Sequence, residues 1–204
     1  DSLDEDLKRR DFTINAVALR CFTPQGKPFR YAPLDDIRGK QGKPFPGELV
    51  DPFDGQADFA KKLIRTVGDP DERFSEDALR LLRAIRFATT LGFEIEANTK
   101  TAITSNAKQI IKISGERIRE EIFKIVESEN CDLGFFLLRD VGLLGHILPE
   151  LDVCFKVEQK SPKRHHVFDV GTHCVMSLKH CPSKKTAIRF ATLLHDIGKA
   201  KVAD

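Results

Sequence analysis

Two groups of residues in this sequence have types and spacings that could do chemistry. The first is Glu76-Asp77-x-x-Arg80, with Arg83 and Arg86 following at three-residue steps. On a helix, residues three apart are neighbours, so Asp77 would set an acceptor beside the donor fork of Arg80. That pair matches the pairing edge of cytosine or adenine, each of which shows an exocyclic amine next to a ring nitrogen acceptor. Guanine and uracil show a carbonyl next to a ring N–H, so donors would face donors, and a buried mismatch of that kind gives strong rejection. The competing reading is an ordinary ion pair on a solvated helix face, which contributes little. The second is the adjacent pair His195-Asp196, in LLHDIGK, with His173 earlier in the chain. Imidazole and carboxylate are donor types that suit a borderline divalent metal. The competing reading is a satisfied core histidine. Lys199 is placed either to contact a phosphate or to cap its helix. His165 and His166 read as loop residues with at most an accessory role, and His146 and His180 as structural or surface. The His173-Cys174 and His180-Cys181 pairs do not point to zinc, because a seven-residue spacing on one helix does not close a tetrahedral site.

The first group needs a helix, and Phe74–Phe93 predicts one. Ser75 is placed to cap it, Glu76 and Asp77 put negative charge at its start, and Gly92 offers a stop. At about 100° per residue, Ala78, Leu81, Leu82, Ile85 and Ala88 share one face. Glu76, Asp77, Arg80 and Arg83 share the opposite arc, with Leu79 and Arg86 between. A helix needs only the first face to pack; the second is available for function.

The remaining elements follow in order. Residues 1–10 form a charged surface run ending in Lys8-Arg9-Arg10. Asp11–Leu19 fits strand, helix or one turning into the other, and its alternating Asp11, Thr13 and Asn15 need polar partners. Phe22–Gly47, rich in Pro, Gly and Lys, reads as a loop or insertion. Leu49–Gly55 reads as a strand entering a turn, Phe59–Val67 as a short helix and a strand, and Gly68-Asp69-Pro70 as a break and domain junction. Helices are then expected over Thr99–Ile113, Glu116–Ser128 (capped by Ser114), Leu133–Val141, Val170–Cys181 and Thr186–His195. Residues 150–165 form a polar stretch.

Composition excludes several classes. Hydrophobic content of 41% and charged content of 31% over 204 residues fit a soluble globular chain. No apolar run approaches membrane-spanning length. A net charge of +2 gives no whole-molecule attraction to nucleic acid, so any basic surface is local. Five cysteines without a C-x-x-C argue against a disulfide framework and for a reducing cytoplasm. With no Trp and one Tyr, Tyr31, an aromatic platform for stacking bases is not expected. The start at Asp1, without an initiator Met or a signal peptide, reads as a fragment of a cytoplasmic protein.

Taken together, RRDFTINA (Arg9–Ala16), DPFDG (Asp51–Gly55), IRTVGDP (Ile64–Pro70), EDALRLLRAIRFA (Glu76–Ala88), LGF (Leu91–Phe93) and GERIREE (Gly115–Glu121) stand in a recognisable order. The series closely resembles the class II nucleotidyltransferases, that is, bacterial CCA-adding tRNA nucleotidyltransferases and their poly(A) polymerase relatives, over about residues 5–150. The resemblance implies that Arg10 and Asp11 hold the incoming nucleotide and that Asp77 and Arg80 are the protein template for the base. It places Arg83 and Arg86 at nucleotide-contacting positions, with a structural ion pair equally open for Arg86. The LLHDIGK context resembles the start of an HD-type phosphohydrolase domain, which implies a divalent metal at His173, His195 and Asp196.

The fold implied is α+β and mostly helical. A small α/β remnant of a nucleotidyltransferase head (1–67) would precede a helical neck and RNA-binding body (68–158), then the start of an all-α HD domain (159–204). The activity implied is addition of C and A from CTP and ATP to tRNA 3′ ends, using magnesium. The alternatives are a poly(A) polymerase or A-adding enzyme, an HD phosphohydrolase on an inert scaffold, and a non-catalytic RNA-binding module. There are departures. The family's D-x-D metal pair and Gly-rich segment lie upstream of RRD and are not in this chain. Asp4 and Asp6 stand too close to Arg9 to replace them, so the chain alone is expected to polymerise nothing. The 22–47 segment is longer than the usual link, and Asp204 lies too near His195 to match the later HD aspartate.

Overall fold

A computed structural model describes residues 2–21, 47–158 and 168–202. Of the expected 22–47 loop, residues 22–46 lie outside the described residues, as do His165, His166 and Asp204, while Gly47 begins a strand. The charged N-terminus is helical: Leu3–Lys8 forms α1, begun by a capping box in which Ser2 Oγ accepts the Glu5 N–H and the Glu5 carboxylate accepts the Ser2 N–H. Asp11–Leu19 resolves into one 3-10 turn, Thr13–Asn15, and the start of β1, Ala18–Cys21. β1 pairs antiparallel with β2, Gly47–Val50, with Ala18 opposite Val50. Next come α2 (Gly55–Ala60), β3 (Leu63–Ile64), α3 (Pro70–Glu76) and α4 (Leu79–Leu91). β4 (Glu94–Ile95) pairs parallel with β3. From there the chain is helical: α5 (Ala97–Asn106), α6 (Gly115–Glu127), α7 (Cys131–Asp140), α8 (Leu144–Ile147), α9 (Pro149–Asp152), α10 (Val170–Lys179) and α11 (Thr186–Leu194). The architecture is α+β and mostly helical, as expected.

The single helix expected over Phe74–Phe93 is two helices with a break. α3 is capped at Asp69, whose carboxylate accepts the Glu72 N–H, with Pro70 in its first turn. Ser75 lies inside α3 and caps nothing. At Asp77 the backbone is extended, φ −150° and ψ 105°, and its side chain accepts the Leu79 N–H at 3.0 Å. The short aspartate competes with the helix for the backbone and opens the break. So Asp77 does not share a helical arc with Arg80 and Arg83. The far end matches expectation: Gly92 takes φ +66° and returns its N–H to Ala88 O.

The expected apolar face is the centre of the core. Ala78, Leu81, Leu82, Ile85 and Ala88 are buried, and α4 packs on α6, α7, β3 and β4. Phe12, Ile64 and Phe74 join the same cluster, so the N-terminal section is welded to the helices rather than hung beside them. α7 approaches α4 so closely at Gly134 that a Cβ there would stand 2.7 Å from Thr89 Oγ1 and 2.6 Å from Ile125 Cγ2. The expected helix over Thr99–Ile113 ends at Asn106 and continues as a 3-10 turn, Ala107–Lys112; it starts at Ala97, with the Glu96 carboxylate on the Thr99 N–H. Ser114 precedes α6 without a side-chain cap. Cys131, Cys154, Cys174 and Cys181 are free thiols. Among the described residues no helix is long and apolar enough to cross a membrane.

Candidate functional site

The break at Asp77 opens onto a cavity of about 550 Å³, lined by Arg9, Arg10, Asp11, Asn15, Asp77, Leu79, Arg80, Arg83, Phe87 and Arg117. Five of the six residues expected to bind a nucleotide meet here: Arg10, Asp11, Asp77, Arg80 and Arg83. They come from the segment before the 3-10 turn and from the junction of α3 and α4. The polar set in Asp11–Asn15 has found its partners. Asp11 is only 8% exposed; its Oδ1 accepts the Phe12 N–H and the Asn15 amide, and its Oδ2 takes Arg83 Nε at 2.7 Å. Thr13 Oγ1 donates to buried Asp58 at 2.6 Å, and Arg65 Nε also binds that carboxylate at 2.8 Å.

Asp77 and Arg80 both line the cavity; the Arg80 N–H donates to Asp77 O at 3.0 Å, while their side chains are held by different partners. Arg80 donates to Arg73 O, to Glu76 and to Arg9 O, so its guanidinium is held by α3 and by the N-terminal segment. Asp77 Oδ2 accepts Arg117 Nη2 at 2.7 Å. Burial pushes the Asp77 carboxyl up, but the Arg117 hydrogen bond, the Leu79 N–H and the charges of Arg117 and Arg80 outweigh it and hold the group below its ordinary range. The cavity therefore offers an ionised acceptor beside fixed donors, and an electropositive surround suited to a phosphorylated ligand. Phe87 closes the floor, edge-on to Phe12 at 5.6 Å. Arg10 lies at the rim, paired with Asp6 at 2.5 Å where both are about half exposed. Arg86 is not among the lining residues: it bonds buried Glu121 at 2.6 Å and lies over the Phe87 ring at 3.6 Å. Sequence reasoning gave no role to Asn15, Phe87 or Arg117. The GERIREE stretch was a visible signal for Arg117, but its target, 40 positions away, was not.

The histidine group also assembles. His173 Nε2 lies 3.3 Å from His195 Nε2, and both stand near Asp196 Oδ2, at 3.5 and 3.4 Å. His173 comes from α10 and the His195-Asp196 pair from the end of α11. His195 Nδ1 is 2.7 Å from Thr192 O, a carbonyl that accepts from Nδ1–H, so in the neutral ring Nε2 is the nitrogen left to bind a ligand. One ligand atom from each of the three side chains lies within 4.8 Å of the others, a spacing that could hold one ion. Lys199 Nζ sits on Asp196 Oδ2 at 2.6 Å. Burial raises the Asp196 carboxyl, yet the Lys199 hydrogen bond and the nearby histidine and lysine charges bring it below its usual range.

Comparison with known proteins follows the same two-part pattern as the motifs. Residues 1–65 match the family model described as "Poly A polymerase head domain", and residues 92–155 match "Probable RNA and SrmB-binding site of polymerase A". The "Multifunctional CCA protein" of Acinetobacter baumannii (strain AYE) is 36% identical over 206 residues, covering 98% of this chain and 43% of that protein. The protein of the same name from Burkholderia pseudomallei (strain 1106a) is 36% identical over 204 residues, covering 98% and 44%. The crystal structure of the Bacillus stearothermophilus CCA-adding enzyme in complex with CTP superposes with a TM-score of 0.65 at 29% identity, covering 97% of this chain and 40% of that one. The chain thus spans less than half the length of the curated relatives it matches. The head-domain match, the match behind it and the near-complete coverage of this chain by CCA proteins agree with one another: over nearly its whole length the chain is similar to class II tRNA nucleotidyltransferases and poly(A) polymerases, as its motifs imply.

Proposed function

We propose that this chain is the nucleotide-reading part of a tRNA nucleotidyltransferase that adds C and A from CTP and ATP to tRNA 3′ ends. The observation that carries the reading is the gathering of Arg10, Asp11, Asp77, Arg80 and Arg83 around one cavity. In this reading Asp77 accepts from the exocyclic amine of cytosine or adenine and Arg80 donates to the adjacent ring nitrogen. Arg83, locked onto Asp11, and Arg10 at the rim hold the sugar and phosphates. A base with the opposite donor pattern leaves Arg80 facing an N–H and Asp77 facing a carbonyl, and is rejected. The magnesium ion that such a transfer uses is not held here: both cavity carboxylates, Asp11 and Asp77, are bound to guanidinium groups and do not form a metal site. The same reading divides the chain into a head portion (1–67), a neck and body (68–158) and the opening of an HD domain (159–204), in a cytoplasmic protein that handles tRNA.

The test uses the protein expressed from its complete reading frame and a tRNA that ends before CCA. Ordered incorporation of C, C and A, lost or scrambled in Asp77→Ala and Arg80→Ala, is the expected result. Selection of C and A that survives both substitutions would remove the base-reading role. Long A-only products would transfer the chain to the poly(A) polymerase or A-adding branch.

A second reading, a phosphoester hydrolase site at His173, His195 and Asp196, is favoured by the tautomer that Thr192 O imposes on His195. Two imidazoles and a carboxylate fit a divalent ion by donor type. When bound, such an ion supplies Lewis acidity and an activated water. Lys199 adds positive charge beside the place a phosphate would occupy. Loss of phosphatase activity in His195→Ala, with nucleotide addition retained, is the expected separation of the two sites.

A further inference from the structure

Arg117 enters the cavity from a helix that carries none of the other lining residues. It is the third residue of α6. There the partial positive charge of the helix start disfavours a cation. Its side chain is 50% exposed, so packing does not hold it in place. Its short contact is with Asp77: Nη2 to Oδ2 at 2.7 Å. The other oxygen, Oδ1, accepts the Leu79 N–H at 3.0 Å. One bond on each oxygen fixes the plane of the carboxylate. A carboxylate has about four lone-pair sites, so about two remain to face the cavity. Arg80 is fixed by a different set of partners, Arg73 O, Glu76 and Arg9 O. The acceptor and donor halves of the reading pair are therefore aligned independently, and α6 aligns the acceptor.

We infer that Arg117 is a specificity-positioning residue, which orients the Asp77 carboxylate so that a cavity-facing lone pair meets the exocyclic amine of cytosine or adenine while Arg80 meets the ring nitrogen. This rests on the proposed reading of the base by Asp77 and Arg80. Without Arg117 the carboxylate keeps only the Leu79 N–H and turns about it. The selective base then loses its alignment, while a mismatched base loses nothing.

The experiment measures single-turnover incorporation of each of the four triphosphates into a tRNA ending before CCA. It uses the protein from its complete reading frame, as wild type, Arg117→Gln, Arg117→Lys and Asp77→Ala, with tRNA binding followed separately. The expected result for Arg117→Gln is a fall of about tenfold in the preference for CTP and ATP over UTP and GTP, carried mainly by the apparent Kd for the triphosphate, with tRNA affinity unchanged. Arg117→Lys, which keeps the charge but not the fork, recovers part of the preference. Each failure has its own signature. If Asp77→Ala keeps full preference, the base-reading assignment falls and this inference with it. If Asp77→Ala loses preference while Arg117→Gln retains it, base reading stands and the Arg117 role is wrong. Tighter CTP binding by Arg117→Gln than by wild type would make Arg117 a competitor for Asp77 and would also overturn the inference.

Discussion

Replacing Arg86 by Met and Glu121 by Gln, singly and together, tests whether Arg86 is a strut or a ligand contact. The pair is close, 2.6 Å, and enclosed, with side chains 14% and 5% exposed. Removing one partner of a buried ion pair costs about 3–5 kcal/mol, because the other charge is left uncompensated. Glu121 keeps a second cation, since its Oε1 accepts Lys124 Nζ at 2.9 Å, but Lys124 is half exposed and its charge is screened by solvent. That residual pairing lowers the expected cost of Arg86→Met to about 2–4 kcal/mol. Within this, about 0.5–1 kcal/mol comes from the guanidinium lying 3.6 Å over the Phe87 ring. Glu121→Gln should cost somewhat less, about 1.5–3 kcal/mol, because an amide still accepts from Arg86. The double replacement removes both charges at once, so its cost should fall short of the sum by about 1.5–3 kcal/mol. Urea unfolding followed by circular dichroism gives these values, provided the slope with denaturant stays constant across the set. CTP binding to the same variants should change little. Additivity within about 0.5 kcal/mol, together with a CTP affinity that collapses in Arg86→Met alone, would refute the strut assignment and place Arg86 on the nucleotide.

Three further outcomes are expected. In Gly55→Ala the new Cβ would stand 2.1 Å from Thr13 O and 2.6 Å from Val17 Cγ2, so α2 must move off the 3-10 turn; a loss on the order of 3 kcal/mol should appear as a lower denaturation midpoint. Asp132 is partly buried, which opposes its ionisation, but the Lys179 hydrogen bond at 2.9 Å prevails and depresses its carboxyl. A depressed carboxyl contributes stability above its unfolded pKa and loses it as pH falls through the folded value. The deficit of Asp132→Asn, at most about 1 kcal/mol for so exposed a pair, should therefore be constant above the ordinary carboxylate range and close as pH falls below it. Finally, Mn2+ should raise the thermal midpoint of the wild type and leave His195→Ala unmoved; an ion at about a hundred times its Kd stabilises by about 2.7 kcal/mol, and an equal shift in both proteins would place the ion elsewhere.

Much of the fold was legible because burial has a period. The face Ala78, Leu81, Leu82, Ile85 and Ala88 is buried as its spacing requires, and Gly92 stops the helix in the left-handed region. The break at Asp77 was hidden by the same periodicity. Phe74 in α3 and Ala78 to Ala88 around α4 all face one core, so the apolar pattern runs through a kink that the backbone does not. The local clue was the aspartate's ability to bind its own backbone, which is weaker evidence than a run of leucines. At the site, residue types and spacing identified the groups that meet at the cavity, because their chemistry is local to each motif. Their partners were not legible. Asp58 and Arg65 around Thr13, Glu121 beneath Arg86 and Arg117 on Asp77 are all contacts between elements, and a single sequence does not record which element faces which.

The cavity is also a late product of synthesis. Arg9 lies at one end of the pieces that build it and Arg117 at the other, about a hundred residues apart. At a translation rate of about 5–20 residues per second, Arg10 and Asp11 leave the ribosome about 5–20 s before α6 can supply its arginine. Through that interval the Asp11 carboxylate first waits for Arg83, and the Asp77 carboxylate then waits for Arg117. A nascent chain therefore carries the motif long before it carries the pocket, and the cavity is complete only once α6 has closed onto the α3–α4 junction.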